Sequence, residues 1–189
     1  SNPTGTYVRE FTIPDTWTNS VRVRFDGADS ALAVWCNGKF VGYSEGSFTP
    51  ACFDLTDFVD PDGANRLGVQ VFRYCSGSWL EDQDFWRMPG LFRSVTLYSV
   101  PHVHVDDVFA TPYVSDDFSV GTLRVAMKLE GNLGGRIELD FCGLVEEAPI
   151  ESHEVEMNVS IAEPHLWSAE DPYLYPYTLR VYDAAGRLV

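Results

Sequence analysis

Apolar and polar residues alternate along most of the chain with the two-residue period of half-buried β-strands. Val21, Val23 and Phe25 alternate with Arg22 and Arg24, and Leu67, Val69 and Val71 repeat the pattern. Residues 7–13 read as a further strand. Residues 31–36 and 39–43 flank Asn37-Gly38, a dipeptide that accepts the positive φ angles of a two-residue turn, so a hairpin is expected there. A short helical turn is expected over residues 54–59, with Asp54 or Thr56 as its cap and Pro61-Asp62-Gly63 as its stop. Residues 91–98 bring the chain back as a strand.

The β-period restarts after Pro101. Residues 103–110, then Leu123, Val125, Met127 and Leu129, then Ile137, Leu139 and Phe141, then Val155, Met157 and Val159, and finally Tyr177, Leu179 and Val181 mark five strands. No long helical pattern interrupts them. The chain therefore reads as all-β, with a domain boundary near Pro101 and an antiparallel sandwich of immunoglobulin-like type after it. Asp183-Ala184-Ala185-Gly186 looks like a hairpin turn followed only by Arg187, Leu188 and Val189. Together with an opening Ser1-Asn2 that lacks an initiator methionine, this is what an excised portion of a longer chain would look like.

Composition narrows the partners. The 189 residues suffice for one large β domain or two small ones and are 45% hydrophobic, enough for a sizeable core. Thirteen basic residues against twenty-eight acidic ones give a net charge of −15, which opposes phosphate backbones and anionic lipid, so neither nucleic acid nor membrane is an expected partner. No targeting segment and no membrane span is apparent. Cys36, Cys52, Cys75 and Cys142 form no C-x-x-C pair, and only Cys142 lies in the second half, so no disulfide can staple that half. Free thiols in a core and a cytoplasmic location are expected. Asn158-Val159-Ser160 matches a glycosylation acceptor, read as chance without a secretory signal.

Candidate chemistry concentrates in residues 78–93, where Glu81, Asp82 and Asp84 stand among Trp79, Phe85, Trp86 and Phe92. Acids resist dehydration, so the segment belongs at a surface or polar cleft. Aromatic faces pack on C–H surfaces while carboxylates accept hydroxyl donors, a combination suited to sugars. Hydrolysis of a glycosidic bond needs two carboxyl groups on opposite sides of that bond, and neighbours on one loop tend to lie side by side. Contact with a ligand or ion by Asp84 or Glu81 is the functional reading. In the structural one, the acids pair with Arg87 and Arg93 while the aromatics pack on the sandwich.

Other candidates are weaker. In a strand, His102 and His104 would face one side and could chelate a metal, but no third ligand stands at a recognisable spacing, so ordinary surface histidines are expected. His153 and His165 are isolated. No nucleophile elbow, P-loop or dinucleotide fingerprint occurs. Trp167 and Tyr173-Leu174-Tyr175 could form a second aromatic platform; the structural alternative is a proline-bounded stretch that plugs one end of the sandwich.

Gly77-Ser78-Trp79-Leu80-Glu81-Asp82-Gln83-Asp84-Phe85-Trp86-Arg87-Met88-Pro89-Gly90-Leu91-Phe92-Arg93 resembles the G-S-[YW]-L-E-D-Q-D-x-W-R-x-[SP]-G-[IL]-[FY]-R stretch of the long bacterial β-galactosidases of glycoside hydrolase family 2. Residues 25–38 and 166–175 agree with it, and the likeness runs from about Pro3 to Val189. The resemblance implies that residues 3–100 are the later part of a jelly-roll sugar-binding domain, an incomplete sandwich, and that 101–189 are an immunoglobulin-like domain without its last strand. It further implies a TIM barrel elsewhere in the parent, carrying both catalytic glutamates and the magnesium ligands. This chain would then hold no catalytic residue and no cofactor of its own. By the same likeness, Asp84 matches the family residue that holds galactose and helps bind a sodium ion, an oxygen ligand suiting both tasks. A galactoside substrate, the barrel of the same polypeptide and a homo-oligomeric parent are the partners implied.

Overall fold

The computed structural model describes residues 1–81, 84–86 and 88–189, Glu81 by its backbone alone. Among the described residues, fifteen strands and one helical turn divide into two units, residues 1–100 and 101–189. As the alternation predicts, both units are built almost entirely of strands.

In the first unit, β1 (Thr4–Phe11), β2 (Ser20–Phe25), β3 (Ala28–Asp29), β4 (Ala31–Cys36), β5 (Lys39–Ser44) and β6 (Ala51–Asp54) lead into β7 (Asn65–Phe72), the helical turn α1 (Ser78–Glu81), β8 (Gly90–Leu91) and β9 (Val95–Val100). A four-stranded sheet in the order β1-β7-β4-β5 faces a three-stranded one ordered β6-β2-β9, and β3 pairs with β8. Alternation decides the core. Val21, Val23 and Phe25 from β2 are buried with Leu67, Val69 and Val71 from β7, while the arginines between them face outward. β4 is the exception, buried on both faces at Ala31, Leu32, Ala33 and Val34. The Asn37-Gly38 hairpin forms as expected, with φ of 51° and 79° closing the Cys36–Lys39 pair. Between β1 and β9, which flank opposite sheets, a cleft of about 630 Å³ opens along Tyr7, Phe11, Val69, Val95 and Leu97.

The second unit runs β10 (Val103–Val114), β11 (Val120–Gly131), β12 (Arg136–Phe141), β13 (Leu144–Pro149), β14 (Glu154–Ala162) and β15 (Tyr177–Tyr182). Two three-stranded sheets, β10-β11-β14 and β13-β12-β15, enclose Val125, Met127, Leu129, Ile137, Leu139 and Val159. The turn at 183–186 begins a hairpin, with Tyr182 bridging Leu188 and the Val189 amide donating to the Val181 carbonyl at 3.0 Å.

The short turn after β6 forms as expected: the Asp54 carboxylate caps it by accepting from the Thr56 amide at 2.8 Å, and the Leu55 carbonyl accepts from the Phe58 and Val59 amides at 2.8 and 3.1 Å. Three other local expectations are corrected. Residues 91–98 are not one strand, because the chain leaves β8 at Phe92 and re-enters at Val95. β13 has no counterpart among the five expected strands. Its Leu144, Val145, Glu146 and Glu147 are all exposed on a sheet edge, so it carries no alternating signal. Cys36 alone of the four free thiols is buried, while Cys52 and Cys142 are exposed.

Asn65 joins the turns at one end of the first unit. Its carbonyl oxygen accepts from the Asp60 amide and from Asn37 Nδ2, both at 2.7 Å, and its amide nitrogen donates to the Asp60 and Gly63 carbonyls. Because the residue is buried, Asn65→Ala leaves these partners unmatched. We expect a loss of about 2–4 kcal/mol in denaturant unfolding, since unpaired buried polar groups cost about 1–3 kcal/mol each. A loss below about 0.5 kcal/mol, typical of surface changes, would contradict this.

Candidate functional site

The acid-aromatic segment is a loop held at both ends by the same short stretch, residues 28–30. At its start, Ser78 Oγ lies 3.2 Å from Ser30 Oγ and accepts from the Cys75 amide at 2.9 Å. At its end, Gly90 and Leu91 pair with Asp29 and Ala28. Ser47 joins the first anchor from the next loop by donating to the Ser30 carbonyl at 3.3 Å. Ser30, Ser47 and Ser78 are three of the four buried polar residues among those described. Buried hydroxyls need partners, and here the Ser30 and Ser78 hydroxyls meet each other while that of Ser47 meets the Ser30 carbonyl. The Ser30 amide in turn donates to the Phe72 carbonyl at 3.1 Å, tying the anchor to the end of β7.

Aromatic packing steadies the loop from above. Phe48 contacts Phe85 and Phe92 at ring-centroid distances of 5.6 and 5.9 Å. Gly27 is required beneath, since a Cβ there would fall 2.6 Å from the Phe92 ring. The guanidinium of Arg93 lies 5.3 Å from the centre of the Phe92 ring. With these rings engaged, Trp79 and Trp86 are left facing solvent at 84% and 82% exposure. Asp84 is exposed as well. Asp82, Gln83, Arg87 and the side chain of Glu81 lie outside the described residues, so the expected pairing of the acids with Arg87 falls there too.

Beside the loop, Tyr43 donates to Glu45 Oε1 at 2.8 Å and Ser76 donates to Glu45 Oε2. The Ser76 and Tyr43 hydroxyls hold the Glu45 carboxyl below the usual carboxylate range. Burial, and then the Glu45 carboxylate, push the Tyr43 phenol up to about 12.

The histidines are dispersed. His102 lies one residue before β10, its carbonyl accepting from the Asn132 amide at 3.0 Å. His104 Nδ1 is 3.0 Å from the Pro101 carbonyl oxygen, and its Nε2 is 3.5 Å from Glu130. His153 Nδ1 meets the Leu129 carbonyl at 3.1 Å, and His165 Nε2 meets Asp171 at 2.6 Å. Among the described residues no three His, Cys, Asp or Glu side chains gather as a metal site. Also among them, no helix is long and apolar enough to cross a membrane.

The three buried serines are the part of the site that sequence reasoning missed. A serine in a Gly-Ser-Trp or Asp-Ser-Ala context reads as ordinary loop chemistry, and only tertiary packing shows that it is buried.

The family model described as glycosyl hydrolases family 2, sugar binding domain, matches residues 1–101, and the model described as glycosyl hydrolases family 2 matches residues 103–189. The chain belongs to glycosyl hydrolase family 2. The β-galactosidase of Halalkalibacterium halodurans is 42% identical over 100% of this chain and 19% of its own length. That of Clostridium acetobutylicum is 40% identical over 100% of this chain and 22% of its own, and that of Lactobacillus delbrueckii subsp. bulgaricus is 43% identical over 99% and 19%. The chain thus spans about a fifth of the length of these curated relatives. Among solved structures, a Bacteroides uniformis β-glucuronidase superposes with a TM-score of 0.84 at 23% identity, covering 100% of this chain and 25% of that one. A Ruminococcus gnavus β-glucuronidase gives 0.78 at 21%, covering 97% and 34%. At these identities the superpositions speak for the fold alone. The family-2 resemblance read from the loop motif is thereby borne out, as is the all-β pairing of a sugar-binding domain with an immunoglobulin-like one.

The Tyr43–Glu45–Ser76 link carries a pH signature of defined sign. Glu45 has a depressed pKa, so its contribution is present above the ordinary carboxylate pKa and is lost as pH falls through the lowered value. Tyr43 has a raised pKa, so its contribution is present below the ordinary phenol pKa and is lost as pH rises through about 12. In a phenolate absorbance titration, Tyr43→Phe should remove a step near about 12, and Glu45→Gln should move that step downward. A Tyr43 that ionises with the exposed tyrosines would refute the link.

Proposed function

We propose that this chain is a non-catalytic portion of a β-galactosidase that hydrolyses terminal β-D-galactosides such as lactose, supplying one wall of the sugar site and bracing the catalytic barrel. The observation that carries the reading is identity of about 40% to β-galactosidases over essentially the whole chain. Asp84 is the substrate-contact residue of this reading. It is an exposed carboxylate on a loop fixed at both ends, able to accept hydrogen bonds from sugar hydroxyls, on the same loop as the solvent-exposed Trp79 and Trp86.

The sodium ion that belongs to this reading fits Asp84 in donor chemistry, a hard cation taking a carboxylate oxygen. When bound it would supply positive charge for sugar oxygens. Magnesium belongs to the barrel of the parent and has no assigned ligand here. A cytoplasmic, homo-oligomeric parent completes the reading, and the free thiols agree with a reducing compartment.

Two aromatics as exposed as Trp79 and Trp86 also favour a second reading, a stand-alone carbohydrate-binding module. A saturable galactose titration of the chain, abolished by Trp79→Ala or Trp86→Ala, would support it over the first.

In the complete enzyme, Asp84→Ala should lower kcat/KM for a nitrophenyl galactoside about 10- to 100-fold, a hydrogen bond to a charged group being worth about 1.5–3 kcal/mol. An unchanged value would remove Asp84 from the site. The purified 189-residue chain should release no nitrophenol. Release above a blank, abolished by Asp84→Ala, would overturn the non-catalytic assignment.

A further inference from the structure

The second unit has a groove that the sugar reading leaves without a role. It encloses about 400 Å³ between the ends of β10, β11 and β14 and the irregular stretch before β15, lined in part by Tyr113, Leu123, Ile161, Leu166, Trp167 and Tyr173. Only part of that stretch plugs the sandwich as the sequence suggests. Tyr175 packs on Phe141 at 5.8 Å and belongs to the core periphery, whereas Trp167 and Leu174 stand 61% and 76% exposed. Apolar surface gathered in one concavity marks an interaction site more than scattered exposed residues do.

Several polar groups along the groove are already engaged. Thr122 Oγ1 is 2.8 Å from Ser160 Oγ. His165 bonds Asp171 through Nε2, donates its amide to the Tyr175 hydroxyl at 2.7 Å and lies flat on Tyr173, with centroids 4.5 Å apart. A sugar needs free donors and acceptors at the walls, and an apolar side chain does not.

The rim is acidic. Residues 112–121 and 161–177, the two stretches that border the groove, contain Asp116, Asp117, Glu163, Glu170 and Asp171 and no lysine or arginine. Hydrogen bonds from the Ser115 and Ser119 hydroxyls, at 2.6 and 2.8 Å, hold the Asp117 carboxyl down to about 2, so it is charged at neutral pH. A second copy would bring one acidic rim against another, on a chain of net charge −15. A segment flanked by cations would be complementary.

We infer that this groove seats an apolar segment flanked by lysine or arginine in the catalytic part of the same polypeptide. The inference rests on the proposed function, and on relatives whose matched region is about a fifth of their length, which leaves most of each relative's chain to supply such a segment. It identifies the surface through which the second unit would brace the barrel.

Hydroxyl-radical footprinting of the complete polypeptide tests this without measuring turnover, so its outcome is independent of the Asp84 experiment. Trp167 and Leu174 should be oxidised about ten-fold more slowly than the free amino acids, because side chains at an interface centre are shielded from water. Zero-length carbodiimide coupling should join Glu170, Asp171, Asp116 or Asp117 to a lysine of the catalytic part. Oxidation of Trp167 and Leu174 at the free amino-acid rate overturns the inference. So does coupling confined to residues 1–189 or between two copies, or protection that appears only when a galacto-oligosaccharide is added.

Discussion

The site loop depends on the backbone of residues 28–30. A loop that must present a carboxylate among aromatic rings gains little from its own sequence, since acids and tryptophans at a surface have no shared reason to stay in place. Its order comes from below. Ser78 and Ser30 satisfy each other where water is excluded, and Gly90 with Leu91 adds a short ladder to Ala28 and Asp29. Both anchors fall on the residues that lead directly into β4, the strand buried on its two faces. The loop is thereby referred to the least yielding part of the sandwich, and a scaffolded loop is where binding residues are best held.

The same economy explains the aromatic packing. Phe48, Phe85 and Phe92 associate with one another, and the absence of a side chain at Gly27 lets Phe92 approach the backbone. These rings are structural. Trp79 and Trp86 are the aromatics of the stretch most exposed to solvent. Sequence alone cannot divide four aromatics in one stretch into supports and contacts, because the division follows from which ring finds Phe48, a residue distant in sequence.

What the sequence does reveal follows from periodicity. β2, β7, β11, β12 and β14 each bury alternate residues, so their patterns are visible without tertiary information. The Asn37-Gly38 turn is equally local. β13 is invisible for the complementary reason, since an edge strand with both faces open selects no alternation. The helical turn at Ser78–Glu81 is too short to show a period of 3.6. At the site, the motif points to the loop and to Asp84, while the buried serines that hold it carry no signature.

The two units also differ in what their acids do. Residues 101–189 hold sixteen acidic residues against five basic ones, and several of the basic ones are committed, Arg124 to Glu156 and Arg180 to Glu138. The remaining carboxylates are concentrated in loops and on exposed strand faces, where solvation costs least. Charge of one sign around an apolar groove opposes self-association and selects for cationic neighbours. In the first unit, by contrast, hydrolysis would require a second carboxyl group facing Asp84 across a scissile bond. A loop tied at both ends to one short segment approaches a ligand from one side, so that opposing group must come from another element. On the proposed reading, a division between an acid-bearing wall and a separate reaction centre would follow from how the loop is anchored.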